Sequence, residues 1–182
     1  MNMIVGHPAR FLSTVMSLLV LTLSGPSGVW AQQKADSVKD QLIGSWKVLS
    51  YKAQIVGQDN WREPIGSNPK GYVIFTAEGR FIQFITASGR KPPTNDAERA
   101  ALLNSMSAYS GRYTVDNDQV TIIVDTSWSE THQGERQKQV RFIKLEGNKL
   151  TWRTPPQIGS RGATEGIKPD KTVTEIAMER EK

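Results

Sequence analysis

The fold of this chain is decided in residues 71–86, which read Gly71-Tyr-Val-Ile-Phe-Thr76, Ala77-Glu-Gly79 and Arg80-Phe-Ile-Gln-Phe-Ile-Thr86. The two outer runs are rich in aromatic and β-branched residues, which favour strands. A short segment that contains glycine separates them. Two such runs joined in this way predict an antiparallel hairpin.

Similar strand patterns follow one another along the rest of the chain. They are predicted at 46–56, 111–116, 119–126, 137–145, 149–154 and 172–180, which brings the total to eight. Short turns join several of them, and a Gly/Pro/charge loop precedes the last strand. An even number of strands in consecutive hairpins favours an up-and-down barrel, with a two-sheet sandwich as the alternative. An eight-stranded barrel is either filled by side chains or holds one small ligand.

Two helices are predicted beside the strands. Ser37 and Asp40 form a capping box for a short helix before the first strand. Asn95 begins a longer helix, whose apolar face repeats through Tyr109 and which Gly111 is expected to end. The predicted fold is therefore mainly β, an eight-stranded antiparallel barrel with a short N-terminal helix and one inserted helix.

The first 31 residues have the pattern of a secretory signal. Arg10 is their one charged residue, and the apolar run from 11 to 23 is shorter than the about 20 residues needed to span a bilayer. Val29-Trp30-Ala31 ends the segment with a cleavage-site pattern. We predict cleavage after Ala31, a mature barrel domain over 32–182 and a periplasmic or secreted location. A retained membrane anchor is the alternative.

The composition of the mature chain excludes several kinds of site and binding partner. Cleavage would lower the count of Lys and Arg from 23 to 22 against 18 acidic residues, a net charge of +4. These charges are interspersed, so we expect no nucleic-acid binding. We also expect no stable membrane insertion after cleavage, because cleavage removes the apolar run. The absence of cysteine excludes disulfides, thiolate metal sites and cysteine nucleophiles. We expect no cofactor, and the oligomeric state stays open.

Several segments carry a resemblance to a known family. Gly44-Ser45-Trp46 is similar to the motif that leads into the first strand of lipocalin-superfamily barrels. The chain also resembles the bacterial lipocalin-like domain family along Leu42–Tyr51, Gly71–Arg80, Ala108–Val115 and Leu150–Pro156. The resemblance implies the barrel, with Trp46 packed across its bottom. It implies little about activity, because members of the family share no established one.

His132 is the only histidine that would remain after cleavage. A metal site usually needs three or more protein ligands, and no second histidine is at hand, so no metal site is predicted. The histidine lies in a polar segment, which favours a surface position. No Gly-x-Ser-x-Gly turn is present to bring a serine beside it.

Arg141 and Arg153 lie on neighbouring predicted strands, with Tyr113 on another. An arginine inside a barrel can hold a carboxylate through two parallel hydrogen bonds. Period-two alternation instead favours arginines that face water, because larger apolar neighbours share the other face. Arg153 is the better interior candidate of the two, since its neighbour Thr151 is small.

Further candidates come from loops and strand interiors. Trp61 and Trp128 fall in predicted loops, where the mouth of a barrel and its ligand pocket form. Gln83 and Glu175 lie within strands, where facing solvent is the default. If they point inward they need partners, and Glu175 opposite Arg153 would be such a pair.

Three functions remain open from the sequence. The first is a non-enzymatic binder of a small, partly apolar or carboxylate-bearing molecule inside the barrel. The second is an enzyme of the cyclase or isomerase type that uses Arg153, Glu175 and Tyr113. The third is a structural or interaction module with a filled core. The sequence favours the first, because it lacks a recognisable catalytic set.

Overall fold

The structure is a computed structural model that describes residues 37–129, 132, 137–158 and 171–181. The predicted signal over 1–31, its cleavage after Ala31 and most of the predicted Gly/Pro/charge loop lie outside the described residues. Neither described helix is long and apolar enough to cross a membrane.

The described residues form two helices and ten strands. The helices are α1 (Val38–Leu42) and α2 (Asp96–Asn104). The strands are β1 (Gly44–Ile55), β2 (Trp61–Arg62), β3 (Lys70–Phe75), β4 (Arg80–Thr86), β5 (Met106–Asp116), β6 (Gln119–Ser127), β7 (Lys138–Glu146), β8 (Lys149–Arg153), β9 (Gln157–Ile158) and β10 (Lys171–Arg180).

Eight of these strands close into an antiparallel up-and-down barrel. β1, β3 to β8 and β10 pair in chain order, and β10 pairs with β1 over most of its length. The two-residue strands β2 and β9 extend the sheet beside β1 and β10. The predicted barrel is confirmed, and the sandwich alternative is excluded by the β1–β10 pairing.

The inserted helix is shorter than predicted. α2 ends at Asn104, and the following residues join β5 in place of a third helical turn. Tyr109 points into the barrel, where its ring lies 5.4 Å from that of Phe81. The prediction that the helix runs to Gly111 was wrong because pairing with β4 and β6 outweighs the helical spacing of the apolar residues.

Gly111 has a different role from the one predicted. It lies in the middle of β5 beside a register shift in the pairing with β6. A Cβ at this position would come within 2.2 Å of the Ile123 carbonyl oxygen, so a larger residue would push the two strands apart. The glycine therefore permits a close approach between strands.

One end of the barrel is closed by Trp46 and α1. The Trp46 side chain is fully buried, and its Nε1 donates a 2.8 Å hydrogen bond to the carbonyl of Leu42. The guanidinium of Arg180 lies 4.3 Å from the centre of the Trp46 ring. It also donates to the carbonyls of Ile43 and Gln41, which α1 leaves without helical partners. The last strand thereby fixes the first helix against the barrel.

Aromatic side chains fill the half of the barrel nearest this end. Phe75 makes edge contacts with Phe81, Tyr113 and Trp152 at centroid distances of 5.4, 5.0 and 6.4 Å. These rings are almost wholly buried. The interior is therefore solid from the closed end to about the level of Trp152.

Substitution Trp46→Ala should destabilise the barrel strongly. It removes a fully buried ring and the hydrogen bond to Leu42, and large-to-small changes of this kind cost about 3–5 kcal/mol. Urea denaturation followed by circular dichroism measures the loss. Phe84→Ala is the matched control, because Phe84 is exposed on the outer face of β4 and should cost less than about 1 kcal/mol. Equal losses in the two variants would contradict the role assigned to Trp46.

Candidate functional site

The end of the barrel opposite α1 opens into a cavity of about 280 Å³. The connections β1–β3, β4–β5, β6–β7 and β8–β10 all start and finish at this end, whereas the closed end has the short turns before β4, β6 and β8. Side chains from β1, β4, β5 and β7 to β10, together with His132, line the cavity. Most of them are polar, unlike those deeper in the barrel.

Arg141 is the central charged residue of the cavity wall. Only 5% of it is exposed. Its Nη1 donates to the Val140 carbonyl at 2.7 Å, and its Nη2 donates to Tyr109 Oη at 2.9 Å and Gln139 Oε1 at 3.1 Å. Its Cζ lies 5.7 Å from the centre of the Trp152 ring. These contacts hold the guanidinium in one place.

The prediction that Arg141 faces water was wrong. On β7 the inner face carries Gln139 and Arg141 near the mouth and Ile143 deeper in, while Phe142 is exposed on the outside. The inner face therefore changes from polar to apolar along the strand. Alternation fixes which residues share a face, but it does not say which face is inside.

The charge of Arg141 has no ionic partner among the described residues. None of the ion pairs found there includes Arg141, and its three acceptors are neutral. Lys138 adds a second cation at the rim of the cavity. A buried charge that lacks a counter-charge is costly, so this wall of the cavity favours an anion.

His132 also lines the cavity. It is 8% exposed, so the predicted surface position was wrong. Its Nδ1 lies 2.8 Å from Ser127 Oγ, and its ring stacks on that of Tyr109 with centroids 4.8 Å apart. The stacking explains the burial, because one face of the imidazole packs on an aromatic ring. Among the described residues no three His, Asp or Glu side chains cluster closely enough to hold a metal ion.

Gln83 points inward and lines the cavity, contrary to the default expectation of a solvent-facing position. It is 3% exposed, and its Nε2 donates to Ser107 Oγ at 2.8 Å. No group of the described residues bonds to its Oε1, which is buried, and the same holds for the buried Nε1 of Trp152, another residue of the cavity lining.

Arg153, Glu175 and Trp61 come together, but not in the cavity. Arg153 pairs with Glu175 across β8 and β10, and its Nε lies 2.5 Å from Glu175 Oε2. The guanidinium also lies 5.5 Å from the centre of the half-exposed Trp61 ring. The Arg153 side chain is 57% exposed. The expectation that Arg153 is the better interior candidate was therefore wrong, because Trp152 takes the inner position and alternation turns Arg153 outward.

Tyr113 and Trp128 are not among the described residues that line the cavity. Tyr113 is buried in the filled half of the barrel, and its hydroxyl donates to the Thr76 carbonyl at 2.9 Å. Trp128 is half-buried just after β6, and its backbone N–H donates to the Ala108 carbonyl. Tyr113, Arg153 and Glu175, the residues considered for an enzyme, therefore do not meet in one cavity.

Comparison with known proteins identifies the family of this chain. Residues 43–169 match the family model described as a lipocalin-like domain. The chain belongs to this lipocalin-like family. A solved structure of an uncharacterized protein from Bacteroides eggerthii is similar at 12% identity, over 77% of this chain and 99% of that one, with a TM-score of 0.36. No curated protein matches this lipocalin-like chain.

The raised pKa of Tyr113 predicts how the stability of the lipocalin-like barrel depends on pH. Burial raises the pKa of this phenol, and the nearby carboxylates of Asp40 and Glu78 raise it further. Above the ordinary tyrosine pKa of about 10 the unfolded chain therefore loses this proton before the folded one does. Stability should fall as the pH rises through that value.

Denaturation midpoints between neutral and alkaline pH measure this effect. Tyr113→Phe should be less stable than the wild type at neutral pH, because it loses the bond to Thr76. Its stability should nevertheless decline less steeply at alkaline pH. Parallel declines in the two proteins would show that Tyr113 does not ionise differently in the folded and unfolded states.

Proposed function

We propose that this lipocalin-like protein binds a small anionic molecule in the cavity at the open end of its barrel, with Arg141 as the group that holds the anion. One observation carries the proposal. The Arg141 guanidinium is buried on the cavity wall with neutral hydrogen-bond acceptors alone among the described residues. A small-molecule ligand is also consistent with a lipocalin-like barrel.

The geometry of Arg141 supports anion binding in particular. A guanidinium has five N–H donors, and the three bonds of Arg141 use only Nη1 and Nη2. Tyr109 and Gln139 hold the group from the side, so little conformational freedom remains to be lost when an anion binds. The bonds leave one donor on Nη1 and one on Nε, and each can donate a charge-assisted hydrogen bond to an oxygen of a carboxylate or phosphate.

The cavity limits the size of the ligand. At about 280 Å³ it lies just below the 300–1,000 Å³ typical of drug-sized ligands. Between the cavity and the closed end, the barrel is filled by Phe75, Phe81 and Trp152. A long aliphatic chain therefore has no room, whereas a short acid with a modest apolar part can pack against Trp152 and Ile176.

We propose further that the protein acts outside the cytoplasm, in the periplasm or after secretion. The support is the sequence of residues 1–31, with Arg10, the short apolar run and Val29-Trp30-Ala31. A ligand-binding barrel without cysteine needs no disulfide formation in that compartment.

Substitution Arg141→Met should weaken anion binding and leave the barrel folded. Isothermal titration calorimetry with benzoate and butyrate as probes should show at least a tenfold loss of affinity, since a hydrogen bond to a charged group contributes about 1.5–3 kcal/mol. Melting temperature should stay equal or rise, because the variant no longer buries an unpaired charge. Arg112→Met is the matched control, since Arg112 is exposed on β5. Unchanged affinity in Arg141→Met would contradict the proposal.

Export is tested by fractionation in a Gram-negative host. The full chain should appear in the periplasm or medium with Gln32 as its first residue, as determined by N-terminal sequencing. Ala31→Arg should block cleavage and leave a longer form attached to the membrane, because the cleavage site needs a small residue. A full-length chain found in the cytoplasm would overturn the proposed location.

A further inference from the structure

We propose that the anion is a short hydroxy acid, whose carboxylate binds Arg141 and whose hydroxyl pairs with the side-chain amide of Gln83. The inference rests on the proposed anion site and specifies its ligand class. It starts from the side-chain amide of Gln83, whose free hydrogen-bonding atom a carboxylate bound to Arg141 would leave without a partner.

The amide of Gln83 has an unmet hydrogen bond that a hydroxyl can satisfy. Its Nε2 is paired with Ser107, and its Oε1 has no partner in the part of the chain that the structure describes. Exchanging the two amide atoms would not remove the deficit, because the single Ser107 hydroxyl would then pair with the oxygen and leave the nitrogen free. The terminal torsion of glutamine is broad, so the free atom can turn toward a ligand group. A hydroxyl both donates and accepts, and it therefore suits either arrangement.

The positions of Gln83 and Arg141 fit a single short ligand. Gln83 is the pairing partner of Tyr109 across β4 and β5, and Tyr109 Oη accepts a bond from Arg141. The two ligand-binding groups are thus separated by one side chain on the same cavity. Trp152, which lies against Arg141, has a buried indole N–H that finds no hydrogen-bond partner among the described residues.

The charges around the cavity distinguish a hydroxy acid from an amino acid. An ammonium group would lie in a cavity lined by Arg141 and Lys138, and the described lining residues include neither Asp nor Glu. Like charges that are close together repel each other, and more strongly when they are removed from water. A neutral hydroxyl makes the same hydrogen bond to Gln83 without that repulsion.

Calorimetric titration of the purified protein with matched acids tests the inference. The probes are benzoate with its ortho, meta and para hydroxy derivatives, and butyrate with its hydroxylated and aminated derivatives. At least one hydroxy acid should bind at least tenfold more tightly than its parent, and the amino acid no more tightly than the parent. Gln83→Met should remove the preference for the hydroxyl, so that the hydroxy acid and its parent acid bind this variant with equal affinity. Arg141→Met should weaken both.

The outcomes separate this inference from the proposed function. If Arg141→Met weakens the parent acids but no hydroxy acid is preferred, the anion site stands and the inference fails. Preference that survives in Gln83→Met, or tighter binding of the amino acid, also overturns it. If Arg141→Met changes nothing, the anion site itself is wrong.

If Gln83→Met does not fold, nuclear magnetic resonance spectra of the wild-type protein test the same contact. The side-chain amide resonances of Gln83 should shift in nitrogen–proton correlation spectra when the hydroxy acid is added. They should stay in place with the parent acid at equal occupancy. Equal shifts with both acids would contradict a contact between the hydroxyl and Gln83.

Discussion

The pairing of β10 with β1 is the constraint on which the rest of this structure depends. It turns a row of hairpins into a closed sheet in which each of the eight barrel strands has a neighbour on both sides. Closure defines one interior, and the alternation of side chains then divides each strand into inner and outer residues. The positions of Arg141 inside the barrel and Arg153 outside it follow from that division.

The interior itself is divided along the barrel axis. Near α1 it is filled by aromatic rings, and near the mouth it is lined by polar groups. The solid half supplies the apolar burial that stabilises the fold. The stability that it supplies allows the other half to keep a buried guanidinium and unpaired polar atoms, which by themselves oppose folding. The two halves thus separate what stabilises the protein from what we propose to be its binding site.

Sequence patterns predicted the fold well and the site poorly. All eight barrel strands, α1 and the start of α2 follow from local signals such as alternation, capping residues and glycine turns. The residues of the site depend on which face of each strand points into the barrel. Alternation shows which residues share a face, but it does not show which of the two faces is the inner one. Alternation therefore leaves the facing of Arg141 and Arg153 open, and the ranking of Arg153 as the better interior candidate is wrong. The polar segment around His132 predicts a surface position, whereas the ring is buried against Tyr109. A usable signal was present in β7, where Gln139 and Arg141 share a face with Ile143 and Leu145.

The hydrogen bonds from Arg180 to the carbonyls at the end of α1 join groups that are 137 and 139 residues apart in the chain. The ribosome therefore makes α1 long before it reaches Arg180. β1 cannot pair with β10 until β10 has left the ribosome, so the barrel closes only after all the strands between them have been made. Until then β1 has an unpaired edge, and the nascent chain is most exposed to aggregation during that interval.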